Sequence, residues 1–254
     1  MNSKVLVVIP TFNCAVQIIK VLKNIQLVLD SKDVEVWVID NQSIDSTFEN
    51  ASNFVAEQNF QNVHVYQAFQ NNSLGGTIKI AFNSAIKMGF EDVIIFHGDN
   101  QGDILDVCKL INLSRTNKVP YSILGSRFMR NSKLIGYSRK RIFGNIVLNS
   151  IYSLFTLRIL SDLGSGLNMY KVKDISDLNY IQLGNSLTFN YELLLLMISN
   201  KKHFIYYPIV WKEEDQISNA KNLSIFLAAL KILFNHLIKK SNSTGESSKV
   251  YKIK

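Results

Sequence analysis

Four short stretches of this chain put polar, chemically capable residues directly after apolar runs. Asp40-Asn41-Gln42-Ser43 follows the run Val34 to Ile39. A carboxylate placed there can accept hydrogen bonds from a nucleobase or ribose. Asp45 or Ser46, just beyond, can equally cap a following helix. His97-Gly98-Asp99-Asn100-Gln101-Gly102-Asp103 brings one imidazole and two carboxylates together. Such a set could hold a divalent cation. Oxygen ligands suit Mg²⁺ or Mn²⁺, the histidine leans toward Mn²⁺, and the ion would neutralise a diphosphate leaving group. The plainer alternative is that Asp103 caps a helix and Asp99 shapes the turn. Ser73-Leu74-Gly75-Gly76-Thr77 has a glycine pair opening a helix, where Gly75 could let a phosphate or sugar approach backbone N–H groups. Its spacing fits neither the dinucleotide fingerprint nor the phosphate-binding P-loop. Asp162-Leu163-Gly164-Ser165-Gly166 is a tight loop whose backbone can touch a ligand and whose Asp162 could orient an acceptor; an ordinary turn is the simpler reading.

The elements that must position these stretches alternate. Val5 to Ile9, Val34 to Ile39, Val63 to Tyr66, Val93 to Phe96 and Tyr121 to Leu124 read as strands. Ala15 to Leu29, Ser46 to Glu57, Thr77 to Met88 and Asp103 to Leu113 read as helices. Strands apolar on both faces and separated by helices predict a largely parallel sheet covered on both sides. Ligands of such sheets sit at the carboxyl ends of strands, where the polar stretches fall. Beyond residue 140 the pattern is less regular. Phe143 to Leu160, Phe189 to Ile198 and Leu223 to Ile238 read as helices, and Phe204 to Val210 as a strand. His64, His203 and His236 sit in apolar settings and read as structural or surface residues.

Charge is concentrated. The net charge is +8, yet the window from Val107 to Ser161 carries ten basic residues, no acid and all six arginines of the chain, leaving −2 elsewhere. This excludes a uniformly basic chain and points to one region facing an anionic ligand or surface. Aromatics are not interleaved with the arginines as stacking surfaces, so no nucleic acid is expected. At 47% hydrophobic and 19% charged, the chain can bury a core. Two cysteines, Cys14 and Cys108, suggest no disulfide framework. No uncharged apolar stretch reaches the roughly 20 residues that span a bilayer. With no signal peptide at the start, a cytoplasmic location, peripheral on the inner face of the membrane, is expected.

Order and spacing now carry more than any one motif. Val8-Ile9-Pro10-Thr11-Phe12-Asn13, then Val38-Ile39-Asp40-Asn41-Gln42-Ser43-Ile44-Asp45-Ser46-Thr47, then the turn at 97–103, resembles family 2 glycosyltransferases of the GT-A fold. Gly125-Ser126-Arg127-Phe128 and Asp162-Leu163-Gly164-Ser165-Gly166 resemble the later motifs of the polyprenyl-phosphate sugar transferase branch. The resemblance implies an α/β Rossmann-like sheet flanked by helices, and a nucleotide-sugar site formed by Pro10, Thr11, Asn13, Asp40, Asn41, Ser43, Gly75, His97, Gly98, Asp99 and Gln101. It also implies that His97 and Asp99 stand at the metal motif, and that Ser218, in the acid-rich segment after Trp211, can close over the diphosphate. The family usually has a second acid where this chain has Asn41, and an acid where it has His97.

The acceptor implied is a polyprenyl phosphate. Arginine's planar fork suits phosphate oxygens, so Arg127 after its strand end is the first acceptor ligand, with Arg139, Ser165 and Gly166 beside it. Asp99, Arg127 and Asp162 are the catalytic candidates. The acceptor oxygen would displace the nucleoside diphosphate in line, inverting the anomeric carbon. A phosphate needs no strong base; a hydroxyl would, from Asp162 or Glu192. Arg139 and Arg141 before an apolar stretch read as a membrane-interface element, as does Leu223 to Ile238. The expected organisation is a GT-A domain over 1–222, an amphipathic helix over 223–240 and a polar basic tail over 241–254. Transfer to a saccharide hydroxyl in surface polysaccharide assembly, an inactive nucleotide-sugar-binding subunit, and a homo-oligomer stay open.

Overall fold

The computed structural model describes residues 4–29, 33–116, 119–213 and 222–239. Strand β1 (Val5–Thr11) is buried along its whole length. It is followed by α1 (Ala15–Lys23), α2 (Gln26–Leu29), β2 (Val34–Asp40), α3 (Thr47–Glu57), β3 (Val63–Gln67), α4 (Ser73–Met88), β4 (Asp92–Phe96), α5 (Ile104–Thr116) and β5 (Ser122–Ser126). The rest comprises β6 (Lys133–Ile135), α6 (Arg139–Thr156), β7 (Leu167–Lys171), α7 (Val172–Ser176), α8 (Phe189–Ser199), β8 (Phe204–Pro208), β9 (Val210–Lys212) and α9 (Asn222–Lys239).

Seven strands form one sheet in the order β3-β2-β1-β4-β7-β5-β8, and β6 pairs with β9 in a small second one. Within the large sheet only β7 runs antiparallel to its neighbours. This is the expected α/β architecture. Side chains alternate across it with a period of two. Leu6, Val8, Trp37, Ile39, Val93 and Ile95 join one core with α4, α8 and α9. Val5, Val7, Ile9, Val36, Val38, Ile94 and Phe96 join the other with α1 and α5.

Several boundaries differ from the sequence reading. The helix expected over Ala15 to Leu29 breaks at Asn24 and Ile25, where the N–H groups reach back three residues to Val21 and Leu22. Helix α4 begins at Ser73, so its glycines lie inside the first turn. The expected strand Phe204 to Val210 divides at Ile209, whose N–H bonds Ser126 while its carbonyl accepts from Lys133. Strand β7 has no counterpart in the sequence reading. Its reversed direction brings its first residues, after Gly166, to the edge where β4 and β5 end. Helices α6 and α9 touch each other, with Tyr152 Oη donating to the Ala229 carbonyl at 2.7 Å.

Candidate active site

At the carboxyl ends of β1, β2 and β4 lies a cavity of about 460 Å³, a size suited to a small-molecule ligand. Pro10, Thr11, Phe12 and Cys14 line it from β1, Asn41 from β2, and His97, Gly98, Asp99 and Gln101 from β4. Asn71, Ser73, Leu74 and Thr77 form the wall at the start of α4, and Leu187 also lines the cavity. Burial pushes the Cys14 thiol up to about 12, so it stays protonated and is a poor nucleophile.

Asp40 and Ser43 do not line this cavity. The Asp40 side chain is 0% exposed and accepts from the Ser43 N–H and hydroxyl and from Gln67 Nε2. Ser43 Oγ in turn accepts the Asn13 N–H at 2.9 Å, and Asn13 Oδ1 accepts the Ile44 N–H. These motif residues are therefore wired to one another. They brace the ends of β1 and β2, and Asp40 presents no free carboxylate to a ribose. Asp45 Oδ1 accepts the Thr47 N–H at the start of α3, the alternative capping role.

The β4 turn is the chemically open part. Asp99 Oδ1 accepts the Gln101 N–H, which leaves Oδ2 4.0 Å from His97 Nδ1. His97 Nε2 is buried with no partner among the described residues. Burial pushes the imidazole below its ordinary range, Arg127 adding to this and Asp99 opposing it. A neutral imidazole keeps the lone pair that a metal ligand needs. No group of three His, Cys, Asp or Glu able to hold a metal occurs among the described residues. Two protein ligands are nonetheless a fitting set for Mg²⁺ or Mn²⁺ that also binds phosphates and water. Asp103 Oδ1 accepts the Leu105 N–H and caps α5, as the plainer reading had it.

Behind the turn, Trp211 and the 164–166 loop hold His97 in place. The His97 N–H donates to the Gly166 carbonyl, and Gln101 accepts the Lys212 N–H. A Cβ on Gly166 would stand 2.4 Å from the Trp211 ring and 2.8 Å from His97 Nδ1. Glycine is required there because two rings occupy the side-chain space. Ser165 is buried and donates to the Leu167 carbonyl. Gly166 and Ser165 thus support the turn rather than face an acceptor.

Gly75 also has a packing role. Its N–H donates to the Asn185 carbonyl at 2.8 Å, so it is not offered to a phosphate. A Cβ there would meet Phe189 and the Asn185 backbone within 2.9 Å.

Arg127 and Asp162 meet each other. Arg127 Nε and an Nη donate to the two Asp162 oxygens at 2.8 Å each, and the same Nη reaches the Gly164 carbonyl. Asp162 also accepts the backbone N–H groups of Arg127 and Gly164. The side chains are 10% and 1% exposed. Burial opposes the guanidinium charge, but Asp162 outweighs it and the pKa rises. The fork expected on an acceptor phosphate is turned on Asp162, and Asp162 has no lone pair left for a general base. Glu192 is engaged as well, accepting the Gly184 N–H. Arg139 is exposed at the start of α6. Ser218 lies outside the described residues.

Sequence reasoning missed Asn71, Leu187 and Trp211. Leu187 and Trp211 are brought in by later elements of weak pattern. The polar run Gln70-Asn71-Asn72-Ser73 was a usable signal for the wall before α4.

The comparisons bear on the family and the fold. The model of the family described as Glycosyl transferase family 2 matches residues 6–178. Among curated proteins no match is found. Glucosyl-3-phosphoglycerate synthase from Mycobacterium tuberculosis, solved with Mn²⁺, UDP-glucose and phosphoglyceric acid, is 13% identical with a TM-score of 0.67, over 92% of this chain and 79% of that one. The same enzyme with Mn²⁺, UDP and phosphoglyceric acid is 13% identical with a TM-score of 0.66, over 99% and 86%. At such identities these structures speak for the shared GT-A fold. With the motifs at the ends of β1, β2 and β4 inside the matched region, the chain belongs to glycosyl transferase family 2.

Proposed function

We propose that the chain transfers a sugar from a nucleotide-sugar to the phosphate of a polyprenyl-phosphate lipid at a membrane surface. The donor half rests on the cavity and its His97–Asp99 pair. The nucleotide would lie against Pro10, Thr11 and Asn41, which line the cavity, with its diphosphate toward the β4 turn. His97 and Asp99 are the residues that would hold Mg²⁺ or Mn²⁺, which would supply charge neutralisation for the leaving diphosphate. Arg127 and Asp162 position the 164–166 loop, and through it His97. The acceptor phosphate, already anionic near neutral pH, attacks the anomeric carbon without a strong base. A solved complex of the mycobacterial synthase holds Mn²⁺, UDP-glucose and phosphoglyceric acid together, which supports the metal and nucleotide-sugar half of the reading.

The lipid half rests on one observation, the outer face of α6 and α9. Phe143, Ile146, Leu154 and Phe155 are exposed on α6, the first and third by 71% and 70%; Leu223, Leu227, Phe234 and Ile238 are exposed on α9. Arg139, Lys140 and Lys231 accompany them, and neither helix contains an acid. Such a face suits anionic headgroups over an acyl boundary. A second copy docking across a two-fold axis would set cations against cations. No helix among the described residues is long and apolar enough to cross a membrane.

The test is transfer from a panel of radiolabelled nucleotide-sugars, with Mg²⁺ or Mn²⁺, to a short polyprenyl phosphate. Label in the organic phase is expected. Transfer only to saccharide hydroxyls, or none with any donor, would overturn the acceptor. For the surface, wild type should sediment with phosphatidylcholine–phosphatidylglycerol vesicles, and the Phe143→Glu/Leu154→Glu variant about tenfold less. Equal sedimentation would remove the membrane face.

A further inference from the structure

Asn41 occupies the position where an acid is usual, a change that could be read as decay of the site. We infer that Asn41 is instead a positioning residue of the donor cavity, whose carboxamide locks the Asn71–Ser73 loop in a way that a carboxylate cannot. This rests on the donor site proposed above for its consequence, though not for its geometry.

The bonds are specific. Asn41 Oδ1 accepts the Asn72 N–H at 2.9 Å. Asn41 Nδ2 donates to Asn71 Oδ1 at 3.1 Å, and that same oxygen accepts the Ser73 N–H at 2.9 Å. Backbone N–H groups can only donate, so both side-chain amides have their orientation fixed. Nδ2 of Asn41 must then face an oxygen. A carboxylate at position 41 would set two acceptors against each other at about the same separation. Turning the Asn71 amide would relieve that contact and leave the Ser73 N–H facing a donor. Either way a hydrogen bond is lost, half-buried between the two side chains in the first case and exposed at Ser73 in the second.

The loop held this way matters to the cavity. Asn41 is 4% exposed, and its own N–H is tied to the Thr11 carbonyl at the end of β1. Ser73 has φ of 55°, a left-handed conformation that a serine holds only when its surroundings impose it. Asn71, Ser73, Leu74 and Thr77 are cavity wall. The lock therefore runs from β1 through β2 to the start of α4. It also makes this wall neutral, with Asp99 the carboxylate among the residues lining the cavity. The amide at 41 and the amide at 71 are a matched pair, which argues for a maintained site and against an inactive relative.

The test uses the full chain with Asn41→Asp and Asn41→Ala. Hydrogen exchange at the Asn72 and Ser73 amides is read without ligand, and affinity for uridine diphosphate with Mn²⁺ is read by calorimetry. At neutral pH, Asn41→Asp should exchange about five- to tenfold faster than wild type and bind the nucleotide more weakly by a similar factor. As pH falls and the introduced carboxyl is protonated, it becomes a donor again, and its ratio to wild type should recover. Asn41→Ala, which can neither donate nor accept, should not recover. Wild-type exchange in Asn41→Asp, or identical behaviour of the two variants at every pH, would overturn the lock. Faster exchange with unchanged nucleotide affinity would overturn its role in the donor site. If wild type binds no uridine or guanosine diphosphate, the donor reading fails, and the lock is judged on exchange alone.

Discussion

Arg127 and Asp162 give the sharpest energetic test. If the guanidinium is a structural partner of Asp162, each single deletion strands a buried charge. Breaking a buried, hydrogen-bonded pair costs about 3–5 kcal/mol. The two 2.8 Å bonds and side-chain exposures of 10% and 1% place this pair in that class. Arg127→Met should fall at the lower end, because Asp162 keeps the N–H groups of Arg127 and Gly164. Asp162→Leu should fall at the upper end, because it strands those donors as well as the guanidinium. The double variant leaves no charge behind and only the two backbone donors unsatisfied, at about 1–3 kcal/mol each. Its cost should therefore fall short of the two single costs combined by about 4 kcal/mol. Guanidinium denaturation followed by far-UV circular dichroism at neutral pH measures all three. In melting temperature the single variants correspond to losses of roughly 6–20 °C for a chain of this size. Additive costs would refute the pairing. So would an Arg127→Met variant losing less than about 1 kcal/mol while transfer to the acceptor collapses; that result would return Arg127 to the phosphate.

Two further outcomes follow from the β4 turn. Gly166→Ala forces a methyl against Trp211 and His97, and should destabilise by about 1–3 kcal/mol and weaken Mn²⁺-dependent nucleotide binding more than metal-free binding; an unchanged melting temperature and affinity would contradict the packing. His97 is held below its ordinary pKa of 6.5, so the unfolded chain takes up this proton at a higher pH than the folded one. Its contribution is whole above about pH 6.5 and is lost as pH falls below that value, by at most about 1.4 kcal/mol per pH unit. In chelator, the wild type should lose more stability than His97→Gln between pH 7.5 and 5.5, and parallel losses would show that the imidazole is not held neutral.

The first half of the fold was legible because its strands are uninterrupted apolar runs, as at Val5 to Ile9, and because each polar stretch lies at a strand end. The second half was not. Strand β7 reads Leu167-Asn168-Met169-Tyr170-Lys171, and its polar residues are satisfied internally, Asn168 by the Ser165 carbonyl and the Gly125 N–H. Periodicity does not reveal such pairing. The site shows the same division. Residue types marked the strand-end turns, and Pro10, Thr11, Asn41, His97, Gly98, Asp99 and Gln101 meet at one cavity. What each side chain does there depended on partners far away in sequence. Asp40 is claimed by Gln67, Arg127 by Asp162, and Gly75 by Asn185. A motif marks where polar groups gather, and only the packed structure says which of them remain unspent.

The first turn of α6 carries a thermodynamic consequence of its own. It opens with Arg139, Lys140 and Arg141, has no acid, and Ser138 makes no side-chain capping bond. The helix dipole already makes this end positive, so each cation there costs about 0.3–1 kcal/mol at low ionic strength. Arg141 is compensated by Glu213 and by the Tyr137 ring. The strain at Arg139 and Lys140 can be relieved from outside the molecule, by counterions or by any polyanion that settles on the turn. Added salt should therefore tighten this helix end rather than loosen it. By mass action, an anionic surface would be coupled to the folding of α6 itself, so that binding and local ordering become one equilibrium.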